Sequence, residues 1–151
     1  MIALVTQKNI VVAKKIYFLF QRSYSVEKRI IGATVFPPLN RSIADFSKSK
    51  NIFYAFCKGD FFLGLIEVVI NSENTHVQSL VVDPNFFKKG VGSALLSYVL
   101  KKHKKPIFSV ETAVKNLPAT HLYEKHGFVR VFEWDTNHGV KKVRFEKINR
   151  A

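Results

Sequence analysis

Two lysines and two glycines follow an apolar run near the middle of the chain. The segment consists of Phe87, Lys88, Lys89, Gly90, Val91, Gly92 and Ser93. Glycine lets the backbone approach an anion closely, and the first amides of a helix have no partner within that helix. The helix dipole and the lysine charges add to this attraction. The segment therefore predicts a phosphate or pyrophosphate site, and a tight turn with glycines used for packing is the alternative.

A second polar segment belongs to the next strand and helix. Asn116 follows an apolar run, and Pro118 suits the first turn of a helix. This spacing puts Tyr123 about two turns into that helix and Gly127 at its end. An asparagine and a tyrosine in this order, behind a glycine loop, form a specific combination, although Tyr123 could instead be a core residue packed with its helical neighbours.

At these two segments the chain resembles the GNAT superfamily of N-acetyltransferases. Residues 87–92 are similar to the family's Q/R-x-x-G-x-G/A acetyl-CoA motif, and residues 116–128 to its N-x-x-A-x-x-L-Y-x-x-x-G-F motif. The resemblance covers about residues 61–128, and the N-terminal third only in its order of elements. Phe87 stands where the family usually has Gln or Arg. We expect it to alter affinity without abolishing binding, because backbone amides carry most of the phosphate contact.

The resemblance implies acetyl-CoA as a co-substrate. Strand residues 79–82 would pair with the pantetheine arm and polarise the acetyl carbonyl, and residues 87–93 would hold the pyrophosphate. Asn116 would contact the pantetheine arm or the pyrophosphate, and Tyr123 would protonate the leaving thiolate as general acid. The implied acetyl-CoA-binding residues are Leu80, Val81, Val82, Phe87, Lys88, Lys89, Gly90, Val91, Gly92, Ser93, Asn116, Ala119 and Tyr123.

Three residues are candidates for the general base that deprotonates the acceptor amine. Glu67 is a carboxylate on an otherwise apolar strand face, where desolvation would raise its pKa. His76 matches a position that supplies a catalytic Glu or His in some members of the superfamily, and Glu111 ends the strand before Asn116. Each has a structural alternative: a salt bridge for Glu67, a solvated strand end for His76 and a loop anchor for Glu111.

The order of elements predicts one domain, residues 1–151, of the α+β class. We expect a GNAT-type mixed, mostly antiparallel twisted sheet of about six or seven strands, with helices on both faces. Asn9 caps a first helix through Phe20, residues 21–50 are irregular, and a capping box begins at Ser42. An exposed final strand could pair with another copy, which makes a homodimer possible.

Composition bounds the remaining possibilities. The net charge of +13 favours a polyanionic partner, and the single cysteine, Cys57, suits a reducing cytoplasm. The histidines show no ligand spacing, so no metal is expected, and no signal peptide or membrane span is predicted.

The predicted activity is therefore transfer of an acetyl group from acetyl-CoA to a primary amine, on a small molecule or a protein, by direct attack in a ternary complex. The resemblance implies that about residues 20–40 and 132–140 form the acceptor site. A non-catalytic acyl-CoA-binding regulatory module and a basic nucleic-acid-binding protein are the alternatives, the latter disfavoured because no nucleic-acid-binding motif is present.

Overall fold

Seven strands and four helices follow one another along the part of the chain that the computed structural model describes, residues 1–150. The strands are β1 (Ile2–Leu4), β2 (Ile52–Lys58), β3 (Phe61–Ile70), β4 (Asn74–Val82), β5 (Ile107–Ala113), β6 (Val129–Asp135) and β7 (Lys141–Ile148). The helices are α1 (Ile10–Ile31), α2 (Ile43–Lys48), α3 (Val91–Lys102) and α4 (Leu117–Lys125), with short 3₁₀ turns at Pro37–Asn40 and Pro84–Phe86.

Helix α1 is longer than the sequence pattern predicted. The side chain of Asn9 accepts hydrogen bonds from the amides of Val11 and Val12, which confirms the expected cap. The helix then runs through the stretch predicted to be irregular and ends at Gly32, whose left-handed φ of 67° suits glycine. Tyr24 and Ile31 continue the buried face, which the polar residues between them obscure in the sequence.

The seven strands form one sheet in the order β1-β2-β3-β4-β5-β7-β6. All neighbours are antiparallel except β4 and β5, which are parallel. Those two strands pair only from Asn74 to Val77 and from Ile107 to Val110, and a register shift against β3 leaves Gln78 as an extra residue in β4. Beyond this point the two strands separate and leave a gap in the sheet.

Two hydrophobic cores lie on opposite faces of the sheet. Helices α1 and α2 cover one face, where Phe20, Phe46 and Phe53 are buried. Helices α3 and α4 cover the other, where Leu95, Leu96 and Phe145 are buried among others. The predicted mixed sheet with helices on both faces is confirmed.

The chain order of the last strands differs from their spatial order. We expected the final strand to be exposed, but β7 lies between β5 and β6, and β6 forms the edge. The reason is the antiparallel turn between them, which folds the last strand back into the sheet beside β5. Any pairing with another copy at this end of the sheet would therefore involve β6, and the homodimer stays a prediction.

Candidate active site

The gap between β4 and β5 opens into a cavity of about 910 Å³. Its walls come from α1, β4, the loop before α3, β5, α4 and the β6–β7 turn. Because the strands diverge, the edge of β4 beyond Val77 has no strand partner on the β5 side. The amide of Val82 donates to Ser23 Oγ of α1 at 3.3 Å, and alternation along the strand points the amide of Leu80 to the same edge. An extended ligand can therefore hydrogen-bond to β4 here.

The glycine loop closes one end of this cavity. Lys88 and Gly90 both adopt left-handed backbone conformations, with φ of 61° and 83°, and Gly90 caps α3 without a side-chain hydrogen bond. The first amides of α3 are therefore open to an anion at the cavity wall. This geometry fits a pyrophosphate group. Ser93, in the same turn, bonds through Oγ to His126 Nε2 at 2.9 Å.

Most of the predicted acetyl-CoA-binding residues line this one cavity. They are Leu80, Val82, Phe87, Lys88, Gly90, Val91, Gly92, Ser93, Asn116, Ala119 and Tyr123. Val81 does not line it, because its side chain lies in the core beneath α1. Lys89 does not line it either, and its ammonium lies 5.6 Å from the ring centre of Phe86.

Asn116 joins two helices at the cavity wall. Its side-chain oxygen accepts from the amide of Ala119 at 3.3 Å and so caps α4, and its Nδ2 donates to Glu27 Oε1 of α1 at 2.8 Å. Both polar groups of the side chain are thus used within the protein. This places Asn116 as a link between α1 and α4, in addition to any contact with acetyl-CoA.

Tyr123 is buried against the sheet with its ring at the cavity. It packs edge-on against Phe128, with ring centres 5.9 Å apart, and beside Phe145 at 5.8 Å. No hydrogen bond to its hydroxyl is found within residues 1–150, so a ligand can reach that group. Burial raises the pKa of Tyr123 far above its usual value, so the phenol keeps its proton at neutral pH.

Glu67 is fully buried but its charge is balanced. Arg41 donates to both carboxylate oxygens, at 2.7 and 2.9 Å, and Asn51 Nδ2 donates to Oε2 at 2.8 Å. The sequence pattern had suggested an unpaired carboxylate. In the structure Arg41 lines the cavity and Glu67 lies behind it, so a base role for Glu67 stays a prediction that needs Arg41 to move.

The other two candidate bases also have partners. His76 Nδ1 lies 2.7 Å from Ser109 Oγ, which donates to Asn74, so His76 donates to Ser109; its side chain does not line the cavity. Burial lowers the pKa of His76. Glu111 does line the cavity, and its Oε2 accepts from Arg144 at 3.0 Å.

The chain matches the model of the acetyltransferase (GNAT) family over residues 14–128. It belongs to the GNAT family. The protein YqkA of Bacillus subtilis is 32% identical over 130 residues, which are 85% of this chain and 38% of the relative. The peptidyl-lysine N-acetyltransferase YiaC of Escherichia coli is 32% identical over 66 residues, 44% of this chain and 42% of that protein. The chain thus spans less than half the length of these relatives.

Solved GNAT structures have the same fold. The structure of an aminoglycoside 6'-N-acetyltransferase complexed with coenzyme A superposes with a TM-score of 0.75 at 14% identity, and the match covers 100% of this chain and 98% of that one. The predicted GNAT resemblance and fold are therefore confirmed. No helix in residues 1–150 is long and apolar enough to cross a membrane. The same part of the chain shows no cluster of histidine, cysteine and acidic residues suited to a metal ion.

Glu27 is the cavity residue of this GNAT site whose importance the sequence pattern did not show. It lies within residues 20–40, which the sequence predicted to be part of the acceptor site. Because the first helix was predicted to end near Phe20, the sequence did not place Glu27 on a helix face. Spacing contained a signal, since Phe20, Tyr24 and Glu27 follow one helical face at intervals of four and three residues. Its carboxyl lines the cavity and is linked to α4 through Asn116.

Proposed function

We propose that this chain transfers an acetyl group from acetyl-CoA to a primary amine by direct attack in a ternary complex. The observation that carries the proposal is the convergence on one cavity of the open β4 edge, the uncapped start of α3 and the Tyr123 ring. The family assignment supplies the chemistry of acetyl transfer.

The glycine loop is proposed to hold the pyrophosphate of acetyl-CoA, and the exposed edge of β4 the pantetheine arm. Amides of the first turn of α3 would face the anion, and Lys88 adds positive charge at the cavity wall. The amide of Leu80 or a neighbour on the same edge would polarise the acetyl carbonyl. When bound, acetyl-CoA supplies an activated acetyl carbon at the point where the strands diverge.

Tyr123 is proposed to protonate the departing thiolate. In water a phenol and an alkyl thiol have pKa values within about two units of each other. Burial raises the pKa of Tyr123 well above its value in water, but the same apolar surroundings disfavour a thiolate and raise its pKa too. The proton can therefore still pass from oxygen to sulfur.

The acceptor is proposed to carry a single amine rather than many. The cavity is lined by two carboxylates, Glu27 and Glu111, and by three cationic side chains, Arg41, Lys88 and Lys142. A polycation would meet repulsion from the latter, and the chain is poor in acidic residues overall. YiaC acts on peptidyl-lysine according to its name. An amine on a peptide or on a small molecule fits this balance of charge better than a polyamine does.

Thermal unfolding with excess acetyl-CoA tests the binding half of the proposal. Saturation at about one hundred times Kd should stabilise the native state by roughly 2.7 kcal/mol. Gly92→Glu should abolish that effect, because it places a carboxylate against the pyrophosphate. The variant should still fold, since an acidic residue is favourable in the first turn of a helix.

Gly92→Ala is the matched control. Its Cβ would lie 3.5 Å from Leu122 and 3.7 Å from Val82, which are ordinary contacts, so the response to acetyl-CoA should be retained. If acetyl-CoA stabilises neither the natural protein nor this control, the cofactor assignment is wrong and the basic-surface alternative gains support.

Thiol release with an amine panel tests the chemical half. The panel contains a tetrapeptide amide that begins with alanine, Nα-acetyl-lysine amide and kanamycin. Tyr123→Phe should lower kcat about 10²- to 10⁴-fold while the stabilisation by acetyl-CoA persists. Tyr98→Phe, on α3 and outside the cavity, is the control. Binding of acetyl-CoA without transfer to any amine would favour the non-catalytic regulatory module.

A further inference from the structure

Glu27 lines the cavity from helix α1. It follows Tyr24 by one turn of α1, and Tyr24 is buried and also lines the cavity. The side chain is partly buried and borders open cavity space, so a ligand can reach it.

The Glu27 carboxyl is positioned relative to Tyr123 by one asparagine. Asn116 Nδ2 donates to Glu27 Oε1 at 2.8 Å, and the oxygen of the same side chain caps α4. Tyr123 is on α4, two turns further along. The carboxyl and the phenol thus reach one cavity from two helices that are joined at Asn116.

No salt bridge occupies Glu27 within the described residues 1–150. Glu67 and Glu111 each have an arginine partner, at 2.7 and 3.0 Å. Glu27 accepts a hydrogen bond from the Asn116 side-chain amide, and Lys142 on β7 acts on it electrostatically from beyond ion-pair distance. Its second carboxylate oxygen is therefore available to a ligand.

Burial favours the neutral form of Glu27 over its charged form. The groups that face it are Tyr24 on α1, Tyr123 on α4, Asn116 before α4 and Lys142 on β7, and Glu111 and His138 line the same cavity. Burial is the largest effect and raises the pKa of Glu27 to about 7, against smaller opposing effects of Lys142 and Asn116. A carboxyl of this pKa can both accept and release a proton near neutral pH.

We propose that Glu27 is the general base of the reaction, which takes the first proton from the acceptor ammonium directly or through one water. This inference rests on the proposed acetyl transfer and identifies the base for the same site. The three candidates from sequence are less well placed: His76 does not line the cavity, and protonation of Glu67 or Glu111 would break an ion pair with arginine.

Glu27 takes one proton from the ammonium, and the neutral nitrogen attacks the carbonyl carbon of the thioester. The C–N bond forms and the C–S bond breaks, while the phenol of Tyr123 gives its proton to sulfur and the second nitrogen proton passes to the phenolate. The products are an amide and a thiol, and the proton held on Glu27 leaves to solvent.

Glu27→Gln isolates this role. The glutamine oxygen can still accept from Asn116, so the link between α1 and α4 remains, but no proton acceptor remains. With whichever amine of the three-member panel the natural protein acetylates fastest, kcat/KM at neutral pH should fall about 10²- to 10⁴-fold. The rise of kcat/KM with pH near 7 should disappear, and activity should recover at high pH where the amine is itself neutral.

Two further variants and a direct titration complete the experiment. Glu124→Gln, on the exposed side of α4, should leave rate and pH profile unchanged, and Glu111→Gln should keep the rise near pH 7. Carbon-13 labelling of the glutamates should show one carboxyl that titrates near 7 and is missing in Glu27→Gln. A midpoint near the ordinary value of about 4.3 would overturn the proposal.

The outcomes separate this inference from the proposed function. If the natural protein binds acetyl-CoA and acetylates an amine, but Glu27→Gln keeps its rate and pH profile, Glu27 is not the base and the acetyltransferase proposal stands. If the natural protein acetylates none of the three amines, both proposals fail. If Glu111→Gln instead removes the rise near pH 7, the role belongs to Glu111.

Discussion

Two carboxylates, the fully buried Glu67 and the partly buried Glu27, each accept a hydrogen bond from an asparagine, but only Glu67 has an arginine partner. Glu67 accepts a hydrogen bond from Asn51 at 2.8 Å, and Glu27 accepts one from Asn116 at 2.8 Å. Of these two carboxylates, only Glu67 forms an ion pair with Arg41, at 2.7 Å. Glu67 is therefore held in an ion pair, whereas Glu27 has no arginine partner and its pKa of about 7 lets its charge change near neutral pH.

The comparison shows that burial alone does not identify a reactive carboxyl. Glu67 is the more deeply buried of the two, and its position on an apolar strand face made it a candidate base from sequence. A buried charge with a well-aligned partner is compensated, and removal of the partner is then what destabilises the fold. A carboxyl with only a neutral donor keeps its desolvation penalty, and this makes it a better base.

The largest expected effect comes from removal of Arg41. Arg41→Met keeps an apolar side chain near Phe46 but leaves Glu67 buried beside Asn51 alone, so we expect a loss of about 3–5 kcal/mol in urea unfolding. The double variant Arg41→Met/Glu67→Leu should recover much of this loss, because two apolar groups replace the pair.

Arg22→Ala is the control for this measurement. Arg22 pairs with Asp83 at 3.0 Å, but its side chain is 49% exposed, so the loss should be within about 1 kcal/mol. Equal effects at Arg41 and Arg22 would mean that the Glu67 pair is solvated, and the contrast between the two carboxylates would disappear.

The second largest expected effect is a pH dependence of the free energy of unfolding that arises from the raised pKa of Glu27. Folding raises the pKa of Glu27 to about 7, so between about pH 4.3 and 7 the folded protein binds a proton that the unfolded chain has lost. Stability therefore falls as pH rises through this window. Relative to Glu27→Gln, the natural protein should lose about 2–3 kcal/mol between roughly pH 5 and pH 8 in urea unfolding.

The same comparison at Glu67 provides the contrast. Glu67→Gln should be less stable than the natural protein at both pH values, because the charge of Arg41 then lacks its partner. If the difference between the natural protein and Glu27→Gln does not change with pH, Glu27 is solvated and its proposed role as base loses its physical support.

Sequence reasoning found the α3–α4 half of the site more completely than the α1 half. The glycine loop, the capped helix at Asn116 and Tyr123 are local features, each set by residues close together in the chain. The ion pair of Glu67 joins residues 26 apart, and the bond between Glu27 and Asn116 joins residues 89 apart. Such partners depend on how elements pack, which spacing along the chain does not show.

Strand and helix bounds followed the same rule. The capping box at Ser42 was predicted from neighbouring residues and is confirmed. The extension of α1 to Ile31 depends on burial of Tyr24 against the sheet. Since tertiary packing stabilises that part of the helix, local propensity understated its length.

The third prediction concerns the asparagine of the Glu27 region. Asn116→Ala removes the cap of α4 and should cost about 1 kcal/mol of stability. It also removes the hydrogen bond that lowers the pKa of Glu27, so the carboxyl should titrate at higher pH than in the natural protein. Urea unfolding and the carbon-13 titration measure the two effects separately.

Asn9→Ala is the matched control, since it removes the cap of α1 and touches no carboxylate. A similar stability loss with an unchanged Glu27 titration is expected there. If the two asparagine variants leave the same titration curve, Asn116 is only a helix cap.

The smallest effect tests the long-range charge near Glu27. Lys142 lowers the pKa of Glu27 from beyond ion-pair distance, so Lys142→Gln should move its titration to higher pH and cost about 0.2–1 kcal/mol of stability near pH 8, where Glu27 is ionised. Lys141→Gln removes the neighbouring charge, which alternation along β7 directs to the other face of the sheet, and should leave the titration in place. Added salt should change the Lys142 effect only slightly, because partly buried charges are screened much less than exposed ones. An unchanged titration in Lys142→Gln would show that burial and Asn116 alone set the proton affinity of Glu27, and the difference from Glu67 would then lie entirely in the absence of an arginine.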